Sequence, residues 1–291
     1  MSVLPKRPVR TACSAMFTLA AGAIAAITAD AIHPAAAQAR LEAEYSASLG
    51  GIPIGRGSWV VDIAEDQYTA AATGGTTGLL RIFSAAHGTT VSRGIFSSGE
   101  PMPTSYASTI NYDRRLDDVH MVLVGGNVKD YSAIPPVPPH PDRIPVSDAD
   151  RRGVVDPLTS ALNRVGGNGD PESPAACNRK VAVFDGRLRF DLQSEFKRME
   201  QVKADKGYQG PTVVCAVYFT PISGYVPDRA VIKYLVAVRD AEVWLAPIAG
   251  TRVLVPFRFS IPTPIGTAVL QATQFVSIAQ PVHPVASAKT Q

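Results

Sequence analysis

Between Cys177 and Cys215 the chain reads CNRKVAVFDGRLRFDLQSEFKRMEQVKADKGYQGPTVVC. Two short runs, Lys180–Phe184 and Arg187–Leu192, flank Asp185-Gly186, the dipeptide favoured in two-residue hairpins. In the second run Leu188, Phe190 and Leu192 fall on one face of a pleat. Arg187, Arg189 and Asp191 fall on the other, which predicts a solvated charged face. Gly207-Tyr208-Gln209-Gly210-Pro211 then turns the chain into Thr212–Phe219, which carries Cys215. A bond between the two cysteines closes a loop of 37 residues and ties the start of the hairpin to the strand that returns beside it. It also restricts register, because a slip of one residue exchanges the two faces of a strand.

Whether that bond forms depends on where the chain ends up. Lys6, Arg7 and Arg10 precede an apolar run from Ala15 to Ile27, and Ala37-Gln38-Ala39 fits a small-x-small cleavage site. This is the pattern of a secretory leader over residues 1–39. The run of about 13 apolar residues is shorter than the roughly 20 a spanning helix needs. No transmembrane segment is therefore expected once the leader is removed. Of three cysteines only Cys13 lies in the leader, and nothing like a lipobox surrounds it. The remaining pair, Cys177 and Cys215, is expected to bond in an oxidising compartment, the periplasm. No Cys-x-x-Cys spacing or adjacent histidine suggests a metal, and no cofactor motif appears.

The leader carries three of the basic residues and Asp30, so its loss lowers the net charge from +3 to about +1. A near-neutral chain without a Lys/Arg cluster argues against nucleic acid as a partner. The mature chain reads as a single β-rich domain over 40–278 with a polar tail at 279–291. Leu41, Ala43, Tyr45, Ala47 and Leu49 alternate with more polar neighbours, Gly50-Gly51 breaks the run, and strands come next at Ser58–Ile63 and Tyr68–Thr73. Gly74-Gly75-Thr76-Thr77-Gly78 lacks the lysine of a phosphate loop and reads as a loop or bulge. Further strands are predicted at His87–Phe96, Thr104–Tyr112 and Leu116–Val124, with His120 on the solvent face.

Residues 134–145, IPPVPPHPDRIP, cannot form an interior strand and predict an extended surface crossing. Asp156 followed by Pro157 marks a helix start, since the carboxylate accepts from free amides and proline loses nothing at the first helical position. Leu158, Ala161 and Leu162 share a face, so one short helix should pack on the sheet. The remainder reads as strands at Val231–Val238, Glu242–Ala246, Val253–Ser260 and Thr267–Ile278.

Tyr45 with Gly50 and Gly55, the run Val155–Leu162 (VDPLTSAL), the piece Val183-Phe184-Asp185-Gly186-Arg187, and Pro264-Ile265-Gly266-Thr267 before the last strand resemble the domain of unknown function 3108 family of exported bacterial β-rich proteins. The resemblance spans roughly 41–278. It implies a strongly curved antiparallel sheet, or an open, spiral, barrel-like fold, with one short helix against it. In outline this is similar to lipoprotein-carrier and envelope-integrity proteins. No activity or catalytic residue set comes with the family.

The sequence is compatible with two functional classes. In the first, the protein is a non-enzymatic envelope component that binds a lipid, a lipoprotein or an envelope protein on the concave side of the sheet. Phe83, Tyr106, Tyr218, Trp244 and Phe257 are then candidate lining residues. The alternative is a hydrolase-type site assembled around His87 or His120. No G-x-S-x-G elbow, His-Glu-x-x-His helix or paired carboxylate supports it, and His140 and His283 lie in the proline crossing and the tail.

Overall fold

The computed structural model describes residues 39–77, 85–113 and 115–279. Its first half is an antiparallel meander. The strands are β1 (Ala39–Leu49), β2 (Ile52–Ile63), β3 (Gln67–Thr76), β4 (Ala86–Ser97), β5 (Glu100–Tyr112), β6 (Arg115–Val124) and β7 (Asn127–Ile134). Alternation decides their faces: Leu41, Ala43 and Tyr45, like Val119, Met121 and Leu123, are buried while their neighbours are not. Gly50 and Gly51 make the first turn with φ of +56° and +83°, which a residue with a Cβ reaches only at a cost.

The second half adds α1 (Pro157–Ser160), β8 (Asn163–Arg164), β9 (Arg179–Phe184), β10 (Arg189–Lys203), β11 (Lys206–Gly207), β12 (Gln209–Ser223), α2 (Ala230–Ala237), β13 (Glu242–Pro247), β14 (Val253–Ile261) and β15 (Ala268–Ala279). All the strands belong to one open sheet, ordered β7-β6-β5-β4-β3-β2-β1-β15-β14-β13-β12-β10-β9. The last strand therefore returns to pair with the first, from Ala39↔Ala279 to Leu49↔Ala268.

The sheet divides between β14 and β15, which pair only from Arg258↔Gln271 to Ile261↔Ala268. Beyond that, β14 turns to β8 and β15 to β11. The opening is filled from the core side. Tyr208 sets its ring 6.2 Å from that of Phe257 and 5.6 Å from that of Phe275, and the main cluster gathers Leu41, Tyr45, Trp59, Leu162 and Ile248 around them.

The free edges, β7 and β9, are drawn toward a common segment. Val154 N donates to Gly126 O (2.7 Å), Val155 N to Ala182 O (2.9 Å), and Phe184 N to Val155 O (2.9 Å). Arg187 completes the latch: its guanidinium donates to Ile134 O (3.0 Å) and Pro135 O (2.8 Å) and pairs with Asp117 at 3.5 Å. The proline crossing runs extended, and Ile144 exchanges backbone bonds with Gly224 and Tyr225.

Several expectations change. Val231–Val238, read as an apolar strand, falls almost wholly in the helix α2. The amide of Val217 is already taken by Ala241 O, and β13 begins opposite Ala216. The backbone of residues 230–237 satisfies itself helically, with Lys233 N donating to Arg229 O (3.1 Å) and Val238 N to Tyr234 O (3.0 Å).

The Asp185-Gly186 turn is not a two-residue loop, because Phe184 pairs with Arg189. The Asp185 carboxylate accepts from Arg187 N (2.8 Å) and Leu188 N (2.7 Å), which takes both residues out of the strand. Asp191 is buried rather than solvated, held by Arg189 at 2.6 Å and Lys180 at 3.1 Å. Asn127–Ile134, passed over in the sequence, is an edge strand with mostly exposed side chains.

The predicted cap is present. Asp156 is fully buried; its Oδ1 accepts from Thr159 N (3.0 Å), and its Oδ2 accepts from Ser92 Oγ (2.8 Å) and Thr159 Oγ1 (2.5 Å). Tyr68 Oη closes the cluster 2.7 Å from Thr159 Oγ1. Burial raises the Asp156 pKa, opposed by the hydrogen bonds from Thr159 and Ser92.

A carboxyl with a raised folded-state pKa contributes stability that is complete below its unfolded value of about 4 and is lost as pH rises through the folded value. Asp156→Asn keeps a side chain that caps helices and removes this titration. From pH 4 to pH 8 the difference in Tm between variant and parent should move in the variant's favour. Parallel Tm–pH curves would contradict this.

Cys177 and Cys215 are bonded, with Cα atoms 5.4 Å apart. Closing a loop of this length constrains the unfolded chain by roughly 3–4 kcal/mol. Cys177→Ser/Cys215→Ser should therefore melt several degrees below the oxidised parent and alongside the reduced parent. Equal melting of variant and oxidised parent would refute the contribution.

Candidate functional site

The disulfide lies beside a groove of about 160 Å³ on one face of the second half of the sheet. Register builds its floor. Arg179, Ser194 and Val217 stand opposite one another on β9, β10 and β12, and Val181 stands opposite Leu192. Cys215, Val243 and Phe259 continue across β12, β13 and β14, and Val213 faces Leu245. Val181, Leu192, Val217, Val243, Leu245 and Phe259 supply the apolar lining.

The wall is the chain leaving α1, at Ser160, Ala161 and Asn163. It is held from two sides. Asn163 Nδ2 donates to Ala176 O (2.7 Å), and Ser194 Oγ donates to Cys177 O (2.8 Å). The disulfide presses the 3-10 turn Pro174–Cys177 onto the strand carrying Cys215.

At the end of the groove stands Arg179, two residues beyond the bridge. Its Nη1 donates to Ser160 O (2.7 Å). Among the described residues no carboxylate forms an ion pair with it. Burial lowers its pKa, and the charge of Glu100 opposes that effect. A guanidinium nevertheless remains cationic in proteins. Arg179 also lines a second cavity of about 410 Å³, shared with Glu100, Gly126, Val154, Asn178 and Lys180. A partly desolvated cation with spare donors, set against apolar walls, is arranged to meet an anion attached to an apolar group.

The candidate lining residues read from the sequence lie elsewhere. Tyr106 belongs to a small core with Val119, Met121, Leu123, Val154 and Phe184, and burial raises its pKa. Phe257 packs against Phe275 in the main core. Trp244 is buried, with the guanidinium carbons of Arg258 and Arg198 at 4.6 and 5.4 Å from its ring centre. Tyr218 is half-buried and donates to Glu195 (3.2 Å). Phe83 falls outside the described residues.

His87 is exposed on a wide trough with Glu44, Arg56 and Ser58, and His120, also exposed, pairs with Asp118 at 2.9 Å. The two histidines stand on β4 and β6 and are not brought together. Among the described residues no group of three His, Cys, Asp or Glu side chains is placed to hold a metal. None of the described helices is long and apolar enough to cross a membrane.

Sequence reasoning missed Arg179. A signal was present: in the alternation of β9, Arg179 shares a face with Val181 and Val183, two residues after a bonded cysteine.

Among solved structures, one similar chain is described as the crystal structure of a β-barrel-like protein of domain of unknown function DUF1849 from Brucella abortus. It has 10% sequence identity and a TM-score of 0.46, covering 85% of this chain and 99% of that one. No curated protein matches. The family model described as a protein of unknown function, DUF3108, matches residues 44–273, so the chain belongs to the DUF3108 family.

Proposed function

We propose that the protein is a non-enzymatic, exported component of the cell envelope that binds a small acidic amphiphile at the Arg179 groove. One observation carries this reading: the guanidinium lacks a carboxylate partner among the described residues and stands where the apolar lining ends. The volume sets the scale. A cavity of about 150 Å³ holds a benzene molecule, so the groove accommodates one ring, a short acyl end or one apolar side chain. A whole lipid would extend outside it. The acid, a carboxylate or phosphate, then meets Arg179.

Export is supported by the leader pattern and by the disulfide, a bond that persists in oxidising compartments. The alternative, a hydrolase centred on His87 or His120, is less favoured: His87 shares an open trough with Glu44 and Ser58 without a hydrogen bond to either, and His120 pairs with Asp118 on an exposed strand face.

Two naphthalene dyes of similar size separate the charge from the apolar contact. The anionic probe 1-anilinonaphthalene-8-sulfonate should bind the parent, be displaced by octanoate, and lose about tenfold or more in affinity with Arg179→Met. Neutral N-phenyl-1-naphthylamine should bind both proteins alike, and Arg179→Lys should retain most of the sulfonate's affinity. Unchanged sulfonate binding in Arg179→Met, or none in the parent, would overturn the assignment.

A further inference from the structure

α2 reads Ala230-Val-Ile-Lys-Tyr-Leu-Val-Ala237, and none of its residues is buried. Val231 is 58% exposed and Val236 40%. A helix apolar on most of its sides ordinarily lies inside a protein or against lipid.

Hydrogen bonds join this helix to two turns. Tyr234 Oη donates to Pro262 O (2.6 Å), at the start of a tight turn in which Thr263 and Gly266 exchange backbone bonds of 3.1 Å. Ile265 stands in that turn at 78% exposure. Gly50 N donates to Thr267 O (3.0 Å), which brings in the β1–β2 turn and the exposed Ile52. The helix and both turns are thus tied to one another, and their exposed apolar side chains project singly instead of lining a cleft. Such projections fit a fluid phase better than a shaped partner.

Charge completes the pattern. Exposed Arg229 precedes α2 and exposed Lys233 lies within it, while Arg239, after the helix, is engaged by Val236 O (2.7 Å) and Val238 O (3.0 Å). Asp228 engages Lys233 at 2.8 Å. Asp240 is the other acid of the segment, leaving an excess of one positive charge over residues 228–240.

We infer that the helix and turns dock on a lipid surface bearing acidic headgroups. Val231, Val236, Ile265 and Ile52 enter the acyl boundary while Arg229 and Lys233 meet headgroup phosphates. The inference goes beyond groove binding and does not require it. The two features are nonetheless neighbours in space: Val217, which lines the groove, donates its amide to Ala241 O just after α2 (2.9 Å).

The test is sedimentation of the exported, oxidised protein with vesicles of phosphatidylcholine and phosphatidylglycerol at 3:1. The parent should partition onto these vesicles and several-fold less onto phosphatidylcholine alone. Val236→Glu/Ile265→Glu should lower the partition coefficient at least tenfold, and Arg229→Gln/Lys233→Gln about threefold, with melting temperatures and dye binding at the groove unchanged. Three results would overturn the inference: no parent protein on acidic vesicles, equal partition of parent and glutamate variant, or a parent dimer that the glutamates dissociate. The last would assign the surface to a second copy of this chain. Dye binding that persists without vesicle binding leaves the groove assignment standing alone.

Discussion

The bond between Cys177 and Cys215 holds the 3-10 turn Pro174–Cys177 against the face of β12. The rest of the second half takes its geometry from that contact. Two residues after Cys177 the chain enters β9, so Arg179 starts from a position set by the bridge. Thirteen residues before Ala176, Asn163 is tied back to the same turn and holds the chain leaving α1 above the sheet. A groove needs a floor and a wall at fixed separation. Here the floor is a ladder of backbone bonds, and the wall is fixed by one covalent bond and a few side-chain hydrogen bonds.

The first half solves a different problem. A long meander ends in edge strands, and exposed edges invite pairing with other chains. In this fold the two ends of the path, β7 and β9, share Val154–Val155 and the fork of Arg187. The sheet stays open in its hydrogen-bond path while part of each edge is covered. α1 sits close to this closure, and its cap reaches Ser92 on β4 through Asp156. One buried carboxylate thereby couples the wall of the groove to the meander. It lies in the interior and forms no ion pair among the described residues, which makes it pH-sensitive.

Much of this was legible in the sequence, and the reasons are physical. Half-buried strands alternate, so β1 and β6 could be read from Leu41 and Val119 with their neighbours. The Asp156-Pro157 pair encodes a helix start because both residues act locally. The disulfide followed from elimination once Cys13 was assigned to the leader. Not all of what escaped depended on partners distant in sequence. Val231–Val238 is a short apolar run, which periodicity alone cannot divide between strand and helix. Asn127–Ile134 lacks a buried face and so left no pattern. Tyr106 and Phe257, chosen as groove candidates, were consumed by cores whose assembly involves residues far apart in the chain. Arg179 looked like one more charge in a charged segment, although its alternation with Val181 pointed to the apolar face.

In the proposed function the bridge places a cation and an apolar wall so that together they hold an acidic amphiphile. Native mass spectrometry of the oxidised protein, purified gently from the cells that make it and then reduced, tests it most directly. The account predicts a small acidic amphiphile at about one per chain before reduction, released when the bond is opened. A bare mass in the oxidised protein, or equal retention after reduction, would contradict it.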